Sequence, residues 1–210
     1  MDWTNPWGSY KYVDNIEVRE DGGTPGFLQA IRAALAFKLK EKMGVENILK
    51  REHELVSVAF EGLKAMKGIH ILADNVQDRL GVISFYHEAI HFNLLVKILS
   101  DRYGIQVRGG CVCAGTYGHF LLEVSYERSR EITEKINHGD LSEKPGWVRW
   151  SLHPTNTEEE VRYFLKSLDA IITNISEWEQ DYVYLKRTNE YMHKDQLENP
   201  SEKHMDWFRL

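Results

Sequence analysis

The stretch Arg108-Gly109-Gly110-Cys111-Val112-Cys113-Ala114-Gly115-Thr116-Tyr117-Gly118-His119 holds both cysteines of the chain, behind an arginine and between glycines. Glycine lets the backbone turn where other residues cannot, and lets a ligand approach closely. A cysteine in this setting reads either as a reactive thiol on a loop or as an inert one, since cysteine is among the most buried residue types. The reactive form is the thiolate, which nearby cations and helix N-termini favour. Ile105 to Val107 reads as a short strand that delivers Arg108 and the loop at its end.

Outward from this loop the chain alternates helices and short strands. Upstream, Leu28, Ile31, Leu35 and Leu39 recur at helical spacing, with Thr24 as cap, Pro25 in the first turn and Gly44 as stop. A second helix is expected from Glu46 to Met66, burying Leu55, Val56, Ala59, Phe60 and Leu63. Ile69 to Leu72 and Leu80 to Phe85 read as strands, and Leu94, Leu95, Ile98 and Leu99 mark a helix ending near Gly104. Downstream, a short helix is expected over Glu127 to Asn137 and a strand over Val148 to Leu152. The capping box Thr157-x-x-Glu160 then opens an amphipathic helix through Val161, Phe164, Leu168, Ile171 and Ile175. The pattern implies an α+β fold, a small mixed or antiparallel sheet with helices packed on one face.

The chain has 210 residues, 42% of them hydrophobic and 28% charged, enough for one medium domain with a sizeable core. A net charge of −6 argues against a nucleic-acid partner. No apolar run approaches the ~20 residues needed to span a bilayer. Met1-Asp2-Trp3-Thr4-Asn5 lacks the basic and apolar regions of a signal peptide, so a reducing cytoplasm is the expected compartment.

The cysteine loop resembles the active-site loop of class V aminotransferase-fold enzymes, the group of cysteine desulfurases and selenocysteine lyases. Arg108, Gly110, Cys113 and Ala114 match that family's pattern, which puts Cys113 at the nucleophile position and makes Cys111 the extra cysteine. Two further segments resemble the family in the same order. Glu20-Asp21-Gly22-Gly23-Thr24-Pro25-Gly26 is similar to its Gly-Thr-Pro turn before a long helix. Gly146-Trp147-Val148-Arg149-Trp150-Ser151 is similar to its Arg-x-Ser strand. The likeness covers about residues 18 to 175.

The resemblance implies the fold of the small C-terminal domain of fold-type I pyridoxal phosphate (PLP) enzymes. It implies Cys113 as sulfur acceptor, Arg149 as the ligand of the substrate α-carboxylate with Arg108 assisting, and Thr24 with Gly23 at the PLP phosphate of a partner subunit. Arginine suits a carboxylate because its planar fork donates two parallel hydrogen bonds. A free helix N-terminus suits a phosphate. The alternatives for these residues are a strand-edge ion pair for Arg149, a brace for the loop in Arg108 and a simple helix cap in Thr24. Cys111 reads as protecting Cys113, relaying its sulfur or packing. Cys111, Cys113 and His119 make an incomplete zinc set, so no metal is expected.

The family's cofactor lysine lies in a large domain upstream of the Gly-Thr-Pro turn. Met192-His193-Lys194 sits at the other end of the chain and reads as surface. The expected organisation is an N-terminal strap over 1–17, a C-terminal domain of a class V enzyme over 18–184 and a polar tail over 185–210. The expected partners are an upstream PLP-binding domain, a second copy in a homodimer and an amino-acid substrate, with no nucleic acid and no membrane. The chain alone is expected to be inactive. The alternatives are a freestanding, non-catalytic sulfur-accepting or protein-interaction domain, and part of a true aminotransferase. The paired cysteines, the Tyr-Gly-His continuation and the long interval before Arg149 leave the substrate open.

Overall fold

Glycine and side-chain caps set the helix ends. In the computed structural model, which describes residues 2–111 and 115–198, two compact units divide between Asn47 and Ile48. The first unit contains a two-residue hairpin, β1 (Trp3–Thr4) with β2 (Tyr10–Lys11), a short helix α1 (Ile16–Glu20) and the long helix α2 (Phe27–Met43). Gly44 ends α2 with φ +81°, a conformation that suits glycine. The expected start of α2 is corrected. Its N-cap is Gly26, not Thr24, and no side chain caps it, so the Thr24 hydroxyl is not spent on the helix. None of residues 2–47 is buried.

α3 (Val45–Ala65) opens at the end of this unit and carries the expected core stripe into the second, where Leu55, Val56, Ala59, Phe60 and Leu63 are buried. Next come β3 (Ile69–Ile71), β4 (Val82–His87), α4 (Phe92–Tyr103), β5 (Arg108–Gly110), α5 (Gly115–Leu121), α6 (Tyr126–Asn137) and β6 (Trp147–Ser151). α7 (Glu158–Trp178), a hairpin of β7 (Tyr182–Leu185) with β8 (Glu190–His193), and α8 (Lys194–Glu198) complete the described chain. α4 stops at Gly104 in the left-handed region (φ +67°), and α7 opens on the complete Thr157–Glu160 capping box.

The central sheet has the order β3-β4-β6-β5 and is antiparallel throughout. Opposite residues in such a ladder point to the same face. Ile83 pairs with Trp150 and Phe85 with Val148, and these four fill one face, where Trp150 stacks on Phe164 of α7 at 3.7 Å between centroids. Helices α3, α4 and α7 and this face share one apolar core, as the α+β reading requires. The strand expected at Ile105–Val107 forms instead at Arg108–Gly110. The Ile105 N–H bonds Leu99 O, which ties the expected segment to the end of α4. The displacement matters because it puts Arg108 inside the sheet.

Candidate functional site

The two arginine candidates in the second unit, Arg108 and Arg149, lie on the sheet face opposite α3, α4 and α7. Arg149, in the middle of β6, stands between Ser84 of β4 and Arg108 of β5, each directly opposite it in its ladder. Two guanidinium groups therefore share one patch of one face. Like charges directly opposite across a ladder destabilise a sheet. Among the described residues neither arginine has a carboxylate partner to relieve that repulsion. The Nε of half-buried Arg149 is removed from water and has no hydrogen-bond partner among those residues. A buried, unpaired donor on a cation is costly, and an anion on this face would offset both costs. A carboxylate answers the fork geometry of the group.

Cys111 follows β5 directly, is free and partly buried, and packs near Gly118 of α5. A side chain at Gly118 would meet the Trp147 ring at 3.2 Å, so glycine lets α5 approach the end of β6. Cys113, the expected nucleophile, lies outside the described residues, as do Val112 and Ala114. The structure thus pairs Arg108 with Arg149 and places Cys111 just past the end of β5.

Thr24 and Gly23 belong to the first unit. Gly23 has φ +94°, and a Cβ built there would meet nothing within 4 Å. Among the described residues the Thr24 hydroxyl makes no hydrogen bond, and the backbone N–H groups of Gly22, Gly23 and Thr24 are likewise unpaired. This uncrowded turn, with a free hydroxyl and free donors ahead of an uncapped helix, fits a phosphate group.

Three histidines are occupied elsewhere. His119 is held at both ring nitrogens, by Gly115 O at 2.7 Å and Ser129 Oγ at 2.9 Å, and so ties α5 to α6. His91 caps α4 by accepting the Asn93 N–H through Nδ1. Burial lowers its pKa from the usual 6.5 and keeps the ring neutral. His153 bonds Thr155 in the turn after β6. Lys194 is exposed at the start of α8. Among the described residues no three of His, Cys, Asp and Glu converge as a metal site, and no helix is long and apolar enough to cross a membrane.

Sequence reasoning missed the pairing of Arg108 with Arg149, because the two are distant in sequence and their register is a tertiary property. It also missed the β7–β8 hairpin beside β5. A signal for the hairpin existed, since Tyr-Val-Tyr-Leu and Glu-Tyr-Met-His flank a turn whose Asn189 is left-handed (φ +57°).

Comparison with known proteins bears on this arrangement. The family described as Aminotransferase class-V matches residues 8–164. A protein named "Probable cysteine desulfurase" from Pyrococcus abyssi is 32% identical over 166 residues, 79% of this chain and 36% of that one. Another of the same name from Staphylococcus aureus (strain Mu50) is 34% identical over 100 residues, 48% of this chain and 24% of that one. Among solved structures, an apo cysteine desulfurase from Thermococcus onnurineus NA1 superimposes with a TM-score of 0.57 at 28% identity, over 81% of this chain and 36% of that one. The Escherichia coli cysteine desulfurase CsdA, at 18% identity and a TM-score of 0.52, shows the shared fold, over 73% of this chain and 32% of that one. The chain spans about a third of the length of these relatives or less. Class V aminotransferases and cysteine desulfurases depend on pyridoxal phosphate. With three quarters of its residues inside the family match, this chain belongs to the class V aminotransferase family.

Proposed function

We propose that this chain is the C-terminal portion of a PLP-dependent cysteine desulfurase. The observation that carries the reading is the Arg108–Arg149 pair, two uncompensated guanidiniums on one sheet face with a buried, unpartnered Nε, beside the strand that leads into the cysteine loop. Arg149 holds the substrate α-carboxylate through its fork, and Arg108 adds a second cation and helps fix orientation. Bound PLP supplies an electron sink for the amino-acid carbon skeleton. The Cys113 thiolate then bonds to the substrate sulfur as the carbon–sulfur bond breaks. The sulfur stays on the protein as a persulfide, and the carbon left behind gains a proton and departs as alanine. Thr24 and the Gly23 backbone donate to the cofactor phosphate, a role supported by their freedom from other bonds. Selenocysteine is the alternative substrate for the same arginines and thiol.

The cofactor lysine belongs to an upstream domain, and the chain alone is inactive. Support comes from the first unit, where Trp7 is 86% exposed and Phe27, Leu28, Ile31 and Leu35 of α2 each exceed half exposure. An apolar surface of that kind marks an interaction site. The upstream domain and a second copy of the subunit are its covers, in a cytoplasmic homodimer. A freestanding, non-catalytic domain has no use for an unpartnered, part-buried Arg149.

The test is a PLP titration of this chain alone and mixed with a separately expressed upstream domain, followed by alanine and sulfide release from L-cysteine. We expect visible cofactor absorbance and turnover only on mixing. Cys113→Ala should abolish sulfide release, and Arg149→Ala should cut kcat/KM by about a hundredfold or more, a buried charge-pair loss. Full sulfide release in Cys113→Ala would sink the assignment of Cys113 as sulfur acceptor and favour another lyase, and cofactor absorbance with no sulfide release in either form would favour an aminotransferase.

A further inference from the structure

β5 is the edge of the four-stranded sheet. Beyond its ladder with β6, no backbone group of Arg108–Gly110 bonds to another backbone group among the described residues. Along this edge runs an open cleft of about 740 Å³, floored by α4 and walled on its far side by β8. The cleft has two chemically distinct faces. Gly109 turns toward α4, so closely that a Cβ there would collide with Asn93 Oδ1 and sit 3.1 Å from Val96 and 3.2 Å from Phe92. Arg108 and Gly110 turn to the opposite face, since side chains alternate along a strand. Arg108, Lys97 and Lys144 line the cleft against the single carboxylate of Glu190. Lys97 is shared with Asp101 at 2.8 Å, whereas Arg108 and Lys144 have no acidic partner among the described residues. This cationic groove stands on a chain whose net charge is −6.

We propose that the β5 edge is a docking groove for an extended acidic segment of a partner protein, which adds to the sheet as a further strand. Backbone bonds to β5 would supply affinity, and alternating side chains would supply specificity. The segment that fits alternates small residues, lying beside Asn93 and Val96, with carboxylates facing Lys144. A second copy of this chain is disfavoured at the edge, because its β5 would bring another Arg108 to a patch already rich in arginine. What passes to the partner rests on the function proposed above. The binding does not, and it needs no cofactor.

The probe is a fluorescein-labelled hexapeptide alternating glutamate and valine, titrated into the full chain by fluorescence polarisation at low and high salt. Two controls accompany it, the same peptide N-methylated at alternate amides and a lysine–valine counterpart. We expect the glutamate peptide to bind, to weaken with salt and to lose at least about tenfold on N-methylation, because the lost amides are the strand's donors. Lys144→Glu, in an exposed loop, should weaken it about fivefold, and Glu190→Gln should tighten it about twofold, the scale of single screened charges. Equal binding of the N-methylated or lysine peptide overturns the proposal. So does absence of binding with circular dichroism unchanged, or light scattering that shows copies of the chain pairing instead.

Discussion

Phe85, Leu95, Leu168 and Ile171 in the second unit are withdrawn from water completely, while Leu28, Ile31 and Leu35 on α2 of the first are more than half exposed. Phe85 is read from a short apolar run, and the others from the same helical periodicity. The difference teaches that an apolar period specifies a face, and that only a partner surface turns the face into a core. The second unit contains its own partners, in one sheet face against three helices. The first unit carries the unbonded Gly23–Thr24 turn ahead of a helix whose apolar side chains remain in water.

The comparison breaks most plainly if a core deletion in the second unit is tolerated. Phe85→Ala should cost about 3–5 kcal/mol by urea denaturation, whereas Leu35→Ala on α2 should change stability by less than about 0.5 kcal/mol. A comparable loss at Leu35 would show that α2 is held by contacts within this chain. Next in size is Gly62→Ala, whose new methyl would collide with Leu165 Cδ1. Overpacking of that kind should cost about 1–3 kcal/mol, seen as a lowered Tm.

The two threonines that precede helices sharpen the contrast at smaller scale. Thr157 makes a reciprocal capping box and Thr24 makes no cap. Thr157→Ala should therefore lose about 1 kcal/mol and Thr24→Ala close to none. On the function proposed above, Thr24→Ala should instead weaken PLP retention once the chain is combined with the upstream domain, measured by cofactor loss on dilution. A stability loss at Thr24 would return it to the role of a cap.

The smallest effect is pH dependence. Burial lowers the His91 pKa below 6.5 in the fold, so the unfolded chain takes up a proton more readily. The stabilisation is complete above about pH 6.5 and is lost as the pH falls below it toward the depressed folded value. His87 is lowered by burial in the same direction. Urea midpoints measured from about pH 7.5 to pH 5 should decline, and His91→Asn, which keeps a capping acceptor, should flatten the decline. A profile unchanged by that substitution would assign the decline to other groups.

The local elements were legible in the sequence wherever one residue type enforces a local geometry. Gly104 and Gly44 end helices by their positive φ, Thr157 with Glu160 opens one, and the apolar stripes of α3 and α7 mark their buried faces. The candidates Arg108, Arg149, Thr24 and Gly23 stood out from short motifs, and Cys113 lies outside the described residues. Thr24 was misread as a cap because a hydroxyl before a helix looks the same whether or not it reaches an N–H. β5 was misplaced by three residues because Ile-Gln-Val carries the stronger β-propensity, while the actual strand, Arg-Gly-Gly, is selected by its ladder with β6.

The sequence by itself determined which segments are helical, which faces are apolar and which residues are candidates for chemistry, because those depend on neighbours within a few positions. Only the tertiary structure decided that Arg149 stands between Ser84 and Arg108, that its Nε is buried without a partner, and that β5 forms an open edge beside a cationic cleft. Register, desolvation and edge exposure arise between strands far apart in the chain, and no local pattern encodes them.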